Sequence, residues 1–330
     1  MFRGFTALIA ASSGLPLVGG QAVMEGVLMR SGNASALAVR RPDGSISVER
    51  KAWRTIGPSS IRSIRFLRGF PILVETLVNG VAALNRSADL ASGGDGGQMS
   101  RGQAVFTFLA ALAAAMLLFV AAPHILAMLM QAAGLGGDME AFSFHLWDGL
   151  FKYLIFLGYI AAISCMDDVR RVFQYHGAEH KAINAFEAGG PVTVETVRGR
   201  SRLHPRCGTT FLLFVLSIAI LVHAAAVPLL LAVWSPEQPV IRHAVIVLFK
   251  MLLIVPVGSL AYELIRGAAA MREGACRTML RAPGMFLQLL TTREPDDLQM
   301  EVAIASLREA LGPDGPWSSR FPSPADNVTE

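Results

Sequence analysis

Charge is scarce in this sequence: Asp, Glu, Lys and Arg make up 16% of its 330 residues, against about 25% in soluble domains. Cysteine is scarcer still. Cys165, Cys207 and Cys276 are an odd number with no C-x-x-C spacing, which excludes a disulfide framework and fits a reducing compartment. Neither G-x-G-x-x-G nor a G-x-x-x-x-G-K loop is present, so the glycines around Gly19–Gly26 do not make a nucleotide site. No basic-aromatic module occurs, and binding to nucleic acid is not expected. The stretch Phe5–Ala11 is at the short limit for the apolar core of a signal peptide, and cleavage is not expected.

What the chain does have is apolar residues, 53% by count, gathered in a few long runs. About 20 apolar residues cross a bilayer. Four runs meet or approach that length: Val105–Leu129, Leu150–Met166 (reaching back to Phe142 if tilted), Phe211–Val233 and Ala244–Ile265. The connection Pro123–Gly149 holds no Lys or Arg, Asp167–Thr210 holds seven, Trp234–His243 holds only Arg242, and Arg266 opens another basic stretch. Positive residues stay inside, so both termini and the long second connection are placed in the cytosol. The fold class is therefore an α-helical multi-pass membrane protein with about four transmembrane helices. It carries a small cytosolic N-terminal α/β element and cytosolic C-terminal helices, and membrane lipids are its expected surroundings.

Six segments follow: a cytosolic N-terminal region 1–100, the first two spans 101–166, a histidine-rich loop 167–210, the last two spans 211–266, a helical region 267–311, and a disordered tail 312–330. In the first, two alternating runs around Pro42-Asp43-Gly44 predict a β-hairpin over Ala36–Trp53. Residues 61–90 predict two helices broken at Gly69-Phe70-Pro71, and Arg62, Arg65 and Arg68 give the first a cationic face suited to an anionic leaflet or to solvent. A flexible link begins at Ser92. Glu294-Pro295-Asp296-Asp297 opens an amphipathic C-terminal helix.

The chemistry is concentrated in YHGAEHKAINAFE, residues 175–187. On a helix His176 and His180 lie about 40° apart around the axis, so two imidazoles can share one metal ion. Glu179 completes H-x-x-E-H, the inverted zincin order, in which the carboxylate acts as general base. Zn²⁺ suits imidazole and thiolate ligands and takes a third protein ligand when catalytic. His204 and Cys207, in RLHPRCG of the same loop, are candidate further ligands, and so is Glu187, two turns beyond His180. Glu25 is a candidate second carboxylate. Gly177 lowers helix propensity inside the motif. Glu263, at the inner end of the fourth run, could complete the site from there or pair with Arg266 one turn on. His223 and Lys250, within the third and fourth runs, are expected to meet in a polar packing contact, since two such groups are too few for a transport path.

GGQAVMEGVLMR, RGFPILVETLVNGVAALNRSA, YHGAEHKAINAFE, RLHPRCGTTFLLF, AYELIR and LLTTREPDDLQMEVAI together resemble the YqhQ-like family of bacterial membrane proteins, whose members are described as predicted metal-dependent enzymes of unknown function. The resemblance runs from about Gly19 to Leu311. It implies a multi-pass protein of the bacterial cytoplasmic membrane with the histidine-rich loop as its defining feature, and it supplies no substrate. Two functions remain open: a membrane-embedded metal-dependent hydrolase, or a non-catalytic scaffold or biogenesis factor whose metal site is closed by four ligands.

Overall fold

A computed structural model describes residues 15–93, 100–271 and 274–321. The signal-peptide reading, most of the link after Ser92 and the tail beyond Phe321 fall outside them.

The chain enters a four-stranded antiparallel meander, β1 (Val18–Val23), β2 (Gly26–Ser31), β3 (Ala34–Arg40) and β4 (Ile46–Ala52). The predicted hairpin is its second half, with Arg40 opposite Ile46. Its first half was not expected. Met24-Glu25 is a two-residue turn, and Glu25 takes the left-handed conformation (φ 50°) that such tight turns require. The two central strands, β2 and β3, are buried on both faces. Val27, Met29, Ala36 and Ala38 belong to one apolar cluster, and Leu28, Leu37 and Val39 to another with Trp53, Ala83 and Leu90.

Two helices follow: the one-turn α1 (Ser59–Ser63), shorter than predicted, and the long α2 (Gly69–Ala91), with Pro71 in the first turn of α2 where its missing N–H is harmless. Of the arginine face only Arg65 stays exposed. Arg62 pairs with the fully buried Glu75 at 3.0 Å, and Arg68 forms a two-point ion pair with Glu263 at 2.6 and 2.7 Å. Glu263 thus ties the start of α2 to the fourth candidate span, and the charge of Arg266 acts on it as well. Glu75 also accepts from Trp53 Nε1 at 2.5 Å, joining the sheet to α2.

Among the described residues, four helices are long and apolar enough to cross a membrane. The first, Val105–Ala132, runs from α3 (Arg101–Met116) through a π turn at Leu117–Ala121 into α4 (Ala122–Ala132). The others are α5 (Phe142–Ile163), α8 (Gly208–Val233), and the pair α9 (Pro239–Leu252) and α10 (Ile254–Ala270). Between α5 and α8 the chain forms α6 (Asp167–Glu187) and the short α7 (Val194–Arg198), so the histidine-rich segment is mostly helix. After α10 come α11 (Ala275–Thr291) and α12 (Asp297–Leu311). Asp296 caps α12 by accepting from Gln299 N at 2.8 Å.

The α6 and α12 helices cover one face of the sheet through Tyr175, Ala178, Ala182, Phe186, Met300, Ala303 and Leu307. Ser306 fastens the contact, accepting from Met29 N at 3.1 Å and donating toward the Val27 and Ala36 carbonyls. The tail was expected to be disordered, yet its described part is packed. Arg320 lies 4.6 Å over the Phe186 ring and donates to the Phe186 carbonyl at 2.6 Å, with Trp317 and Phe321 against the same ring. Its proline content concealed two aromatics and one arginine that bury together.

Candidate metal centre

Helix α6 carries acids in its first turn, Asp167 and Asp168, where the helix dipole favours them, and its apolar face is fixed by the sheet and α12. That packing aims the motif's histidines away from the sheet, toward Cys207 at the start of α8. Ligand atoms of His176, His180 and Cys207 all lie within 4.8 Å of one another. His176 Nε2 is 3.2 Å from Cys207 Sγ, and the two imidazole centroids are 4.4 Å apart.

Each histidine is also held from behind. His176 Nδ1 lies 2.8 Å from the Thr291 carbonyl, and His180 Nδ1 lies 2.7 Å from the Arg202 carbonyl. A carbonyl only accepts, so both rings carry their proton on Nδ1 and present Nε2 as a lone pair. Metal-binding histidines are oriented in this way. Burial keeps both imidazoles neutral: it lowers His176, and burial together with His176 pushes His180 down to about 2.

The motif's glycine has a geometric reason. A Cβ on Gly177 would sit 2.1 Å from the Arg293 carbonyl oxygen and 3.3 Å from Pro295. Residues 291–295 therefore cross α6 at backbone contact, with Arg293 N donating to the Phe173 carbonyl at 2.8 Å. That crossing delivers the Thr291 carbonyl to His176.

Glu179 is buried beside the trio. One of its oxygens lies against Gly20 of β1, where a Cβ would come within 2.8 Å of it, and Oε2 has no partner. Burial pushes the carboxyl up to about 8, offset only in part by the Gly20 backbone N–H. Burial, and then the nearby Glu179 carboxyl, raise the Cys207 thiol to about 11, against a lowering by Thr209.

The remaining candidates are not gathered into the trio. His204 stands one ring further out, 5.6 Å from His180 between centroids, and its Nε2 is 3.6 Å from Glu187 Oε2. Glu187 forms a two-point pair with Arg206. Burial raises its carboxyl, but the bonds from His204 and Arg206 outweigh that and hold it at about 2. Glu25 is engaged by Arg171, with Nη2 at 2.6 Å, and by the Tyr175 hydroxyl at 3.2 Å. It locks the β1–β2 turn to α6 and does not supply a second carboxylate.

These protonation states give a direct expectation. A thiol binds metal as thiolate, so a divalent ion entering the trio must expel the Cys207 proton, whereas the neutral imidazoles release none. Apparent affinity should rise at least about tenfold per pH unit below the thiol's pKa. Cys207→Ala should release one proton fewer per ion, as counted by calorimetric titration in buffers of different ionisation enthalpy.

Some participants carried no sequence signal. The Thr291 and Arg202 carbonyls are backbone atoms whose role depends on where the chain crosses. Others were readable and were misplaced. The second long helix begins at Phe142, so Asp148 and Lys152, one turn apart, lie within it and are buried. Asp148 therefore does not belong to the preceding connection. His223 and Lys250 meet in one polar group, as expected, with their side chains linked through Lys152 and Asp148.

The fold and the site define a class: a bundle with four long apolar helices, bearing at one end a small sheet, a crossing helix and a two-histidine, one-cysteine cluster. The chain belongs to the DUF1385 family of proteins of unknown function, whose profile matches residues 64–313. It is similar to the uncharacterized protein YqhQ of Bacillus subtilis (strain 168), with 35% identity over 313 residues, 90% of this chain and 92% of the relative. No solved structure matches the chain.

Proposed function

We propose that this protein is a metal-dependent hydrolase of the bacterial cytoplasmic membrane, with its centre on the cytosolic side. The observation that carries this reading is the trio His176, His180 and Cys207, whose two imidazoles are turned by backbone carbonyls so that both lone pairs face one thiol. Two nitrogens and one sulfur suit Zn²⁺, and three protein ligands are the number that catalytic zinc sites keep. A bound divalent ion supplies Lewis acidity that activates water and polarises a scissile carbonyl or phosphoryl group.

Glu179 supplies the proton-handling group. Its buried Oε2 has no protein partner, and a carboxyl raised to about 8 is suited to exchange a proton near neutrality. Gly20 fixes one of its oxygens and so sets the orientation of the other. A cavity of about 210 Å³ adjoins the trio and is lined by Cys207, Phe211, Phe214, Ile265, Leu280 and Arg281. Its mostly apolar wall, with Arg206 and Arg281 in the lining, suits an amphiphilic anionic substrate.

A second reading is a scaffold or biogenesis factor with a structural metal. It is favoured by the nearness of His204 to His180, since His204 as a fourth ligand would close the coordination shell. Metal analysis of detergent-purified protein decides the common premise. Wild type should hold one divalent ion per chain, and His176→Ala and His180→Ala should hold none. Absence of stoichiometric metal from wild type, purified without chelator under reducing conditions, sinks both readings. His204→Ala then separates them, because metal retained at wild-type stoichiometry favours the hydrolase.

The proposed orientation has its own check. Cys276 is exposed just after the fourth candidate span, on the side bearing the trio. A membrane-impermeant maleimide should leave it unlabelled in intact cells and label it after permeabilisation. Labelling in intact cells reverses the topology.

A further inference from the structure

Far from the trio, the four long helices enclose a second polar group. Lys250 Nζ is 2.9 Å from Asp148 Oδ2, and Lys152 Nζ is 2.5 Å from the same oxygen. Lys152 reaches His223 Nδ1 at 3.3 Å, Lys250 reaches His124 Nδ1 at 3.2 Å, and His124 Nε2 lies 3.0 Å from His243 Nδ1. His145 is buried alongside. His124, His145, Asp148, Lys152, His223 and Lys250 are each at most 4% exposed, and only His243 is half-buried.

This group is poorly suited to packing alone. Two ammonium groups share one carboxylate, and an uncompensated charge inside an apolar bundle costs several kcal/mol. Oδ1 of Asp148 is buried with no hydrogen-bond partner among the described residues. Apolar side chains of similar volume would hold the helices together as well or better.

The contacts also have a direction. An ammonium only donates, so His124 accepts from Lys250 at Nδ1 and carries its own proton on Nε2. That N–H points at His243 Nδ1, which leaves the His243 proton on Nε2. His243 lies about 6 Å along its helix from Pro239, and Lys250 about 16 Å. The row therefore leads inward from the end of the bundle at the Trp234–Gln238 connection, the end opposite Cys207.

We propose that these seven residues form a proton-binding site inside the membrane, and that it exchanges its proton with the face opposite the metal centre through His124 and His243. The proposal rests on the membrane placement given above and is independent of the metal. In one passage the Lys250 ammonium gives a proton to His124 Nδ1, His124 gives its Nε2 proton to His243 Nδ1, and His243 gives its Nε2 proton to water. Three N–H bonds break; two N–H bonds and one O–H bond form. Lys250 is left as a neutral amine beside a neutral Asp148–Lys152 pair, so the triad falls from one net positive charge to none. Uptake follows the same row in reverse.

The test is nitrogen-15 NMR of full-length protein with labelled histidine rings in lipid nanodiscs, titrated from about pH 5 to about pH 9. His124 and His243 should change together at one shared midpoint. Lys250→Met should move that midpoint by about one unit or more, the scale of a desolvated charge interaction. His243→Gln, a change at the half-buried end, should abolish the pH response of His124, and it carries the test if Lys250→Met fails to fold. His176 and His180 resonances unchanged between variants report an intact fold. The proposal is overturned if His124 keeps one tautomer across the range, or if it responds identically in wild type and His243→Gln. Failure of the protein to enter nanodiscs points instead to the membrane placement.

Discussion

Gly177→Ala should lower metal affinity by about 10–100-fold, the range that follows loss of a hydrogen-bond partner behind a ligand. In an ordinary helix the same change adds about 1 kcal/mol of stability, because glycine is the poorer helix former. Here the added methyl would meet the Arg293 carbonyl oxygen at 2.1 Å, and backbone cannot swing aside as a side chain can. Residues 291–295 must shift, and the Thr291 carbonyl that orients His176 shifts with them. Overpacking of this kind costs about 1–3 kcal/mol, so the sign of the stability change is reversed. Zinc titration and thermal unfolding of the variant measure both effects. Wild-type affinity with raised stability would show that the crossing does not position the ligand.

Glu75→Leu should be the most destabilising single change in the N-terminal region. The carboxylate is fully buried and serves Trp53 Nε1, Arg62 at 3.0 Å and the Ile56 N–H at 3.4 Å, with the more exposed Arg30 at 3.7 Å. Removing one partner of a buried ion pair costs about 3–5 kcal/mol, because the remaining charge is left uncompensated. The loss should appear as earlier denaturation followed by Trp53 fluorescence and by protease cleavage between β4 and α2. Restoring balance with Arg62→Met in the same chain should recover much of it. A single variant as stable as wild type would mean that Arg62 finds water when Glu75 is gone.

Much of the architecture was legible because it depends on local pattern. Apolar length marked the four long helices, Pro42-Asp43-Gly44 marked the β3–β4 hairpin, and the acids before Leu298 marked the start of α12. The β1–β2 hairpin was not: β2 is buried on both faces and loses the alternation that signals a strand, while β1 opens on Val18-Gly19-Gly20, with glycines that are poor strand formers. Its turn also uses Met24-Glu25, not the Asn-Gly or Asp-Gly pair that advertises such turns. At the site, spacing alone gave His176 and His180, and nearness in sequence gave Cys207. Spacing could not separate Cys207 from His204, because that depends on how the loop before α8 turns. Glu25 was misjudged for a related reason: its partner Arg171 lies far away in sequence and next to it in space. Asp148 was assigned to the connection before the second long helix, which in fact begins at Phe142 and contains it; Lys152 lay inside the predicted run Leu150–Met166, but its role depends on partners from other helices.

The contact between Ser306 and the strands has a consequence for the order in which the protein is made. The sheet leaves the ribosome first, yet one of its faces is covered only by α6 and by α12, the last long helix of the chain. The carbonyl behind His176 likewise comes from residue 291. Every long apolar helix must therefore be synthesised before the trio can be completed. A chain interrupted before residue 291 would keep the Arg202 carbonyl behind His180 but would lack the one behind His176. Biosynthesis thus supplies the last support of the cluster only after every long apolar helix has been made.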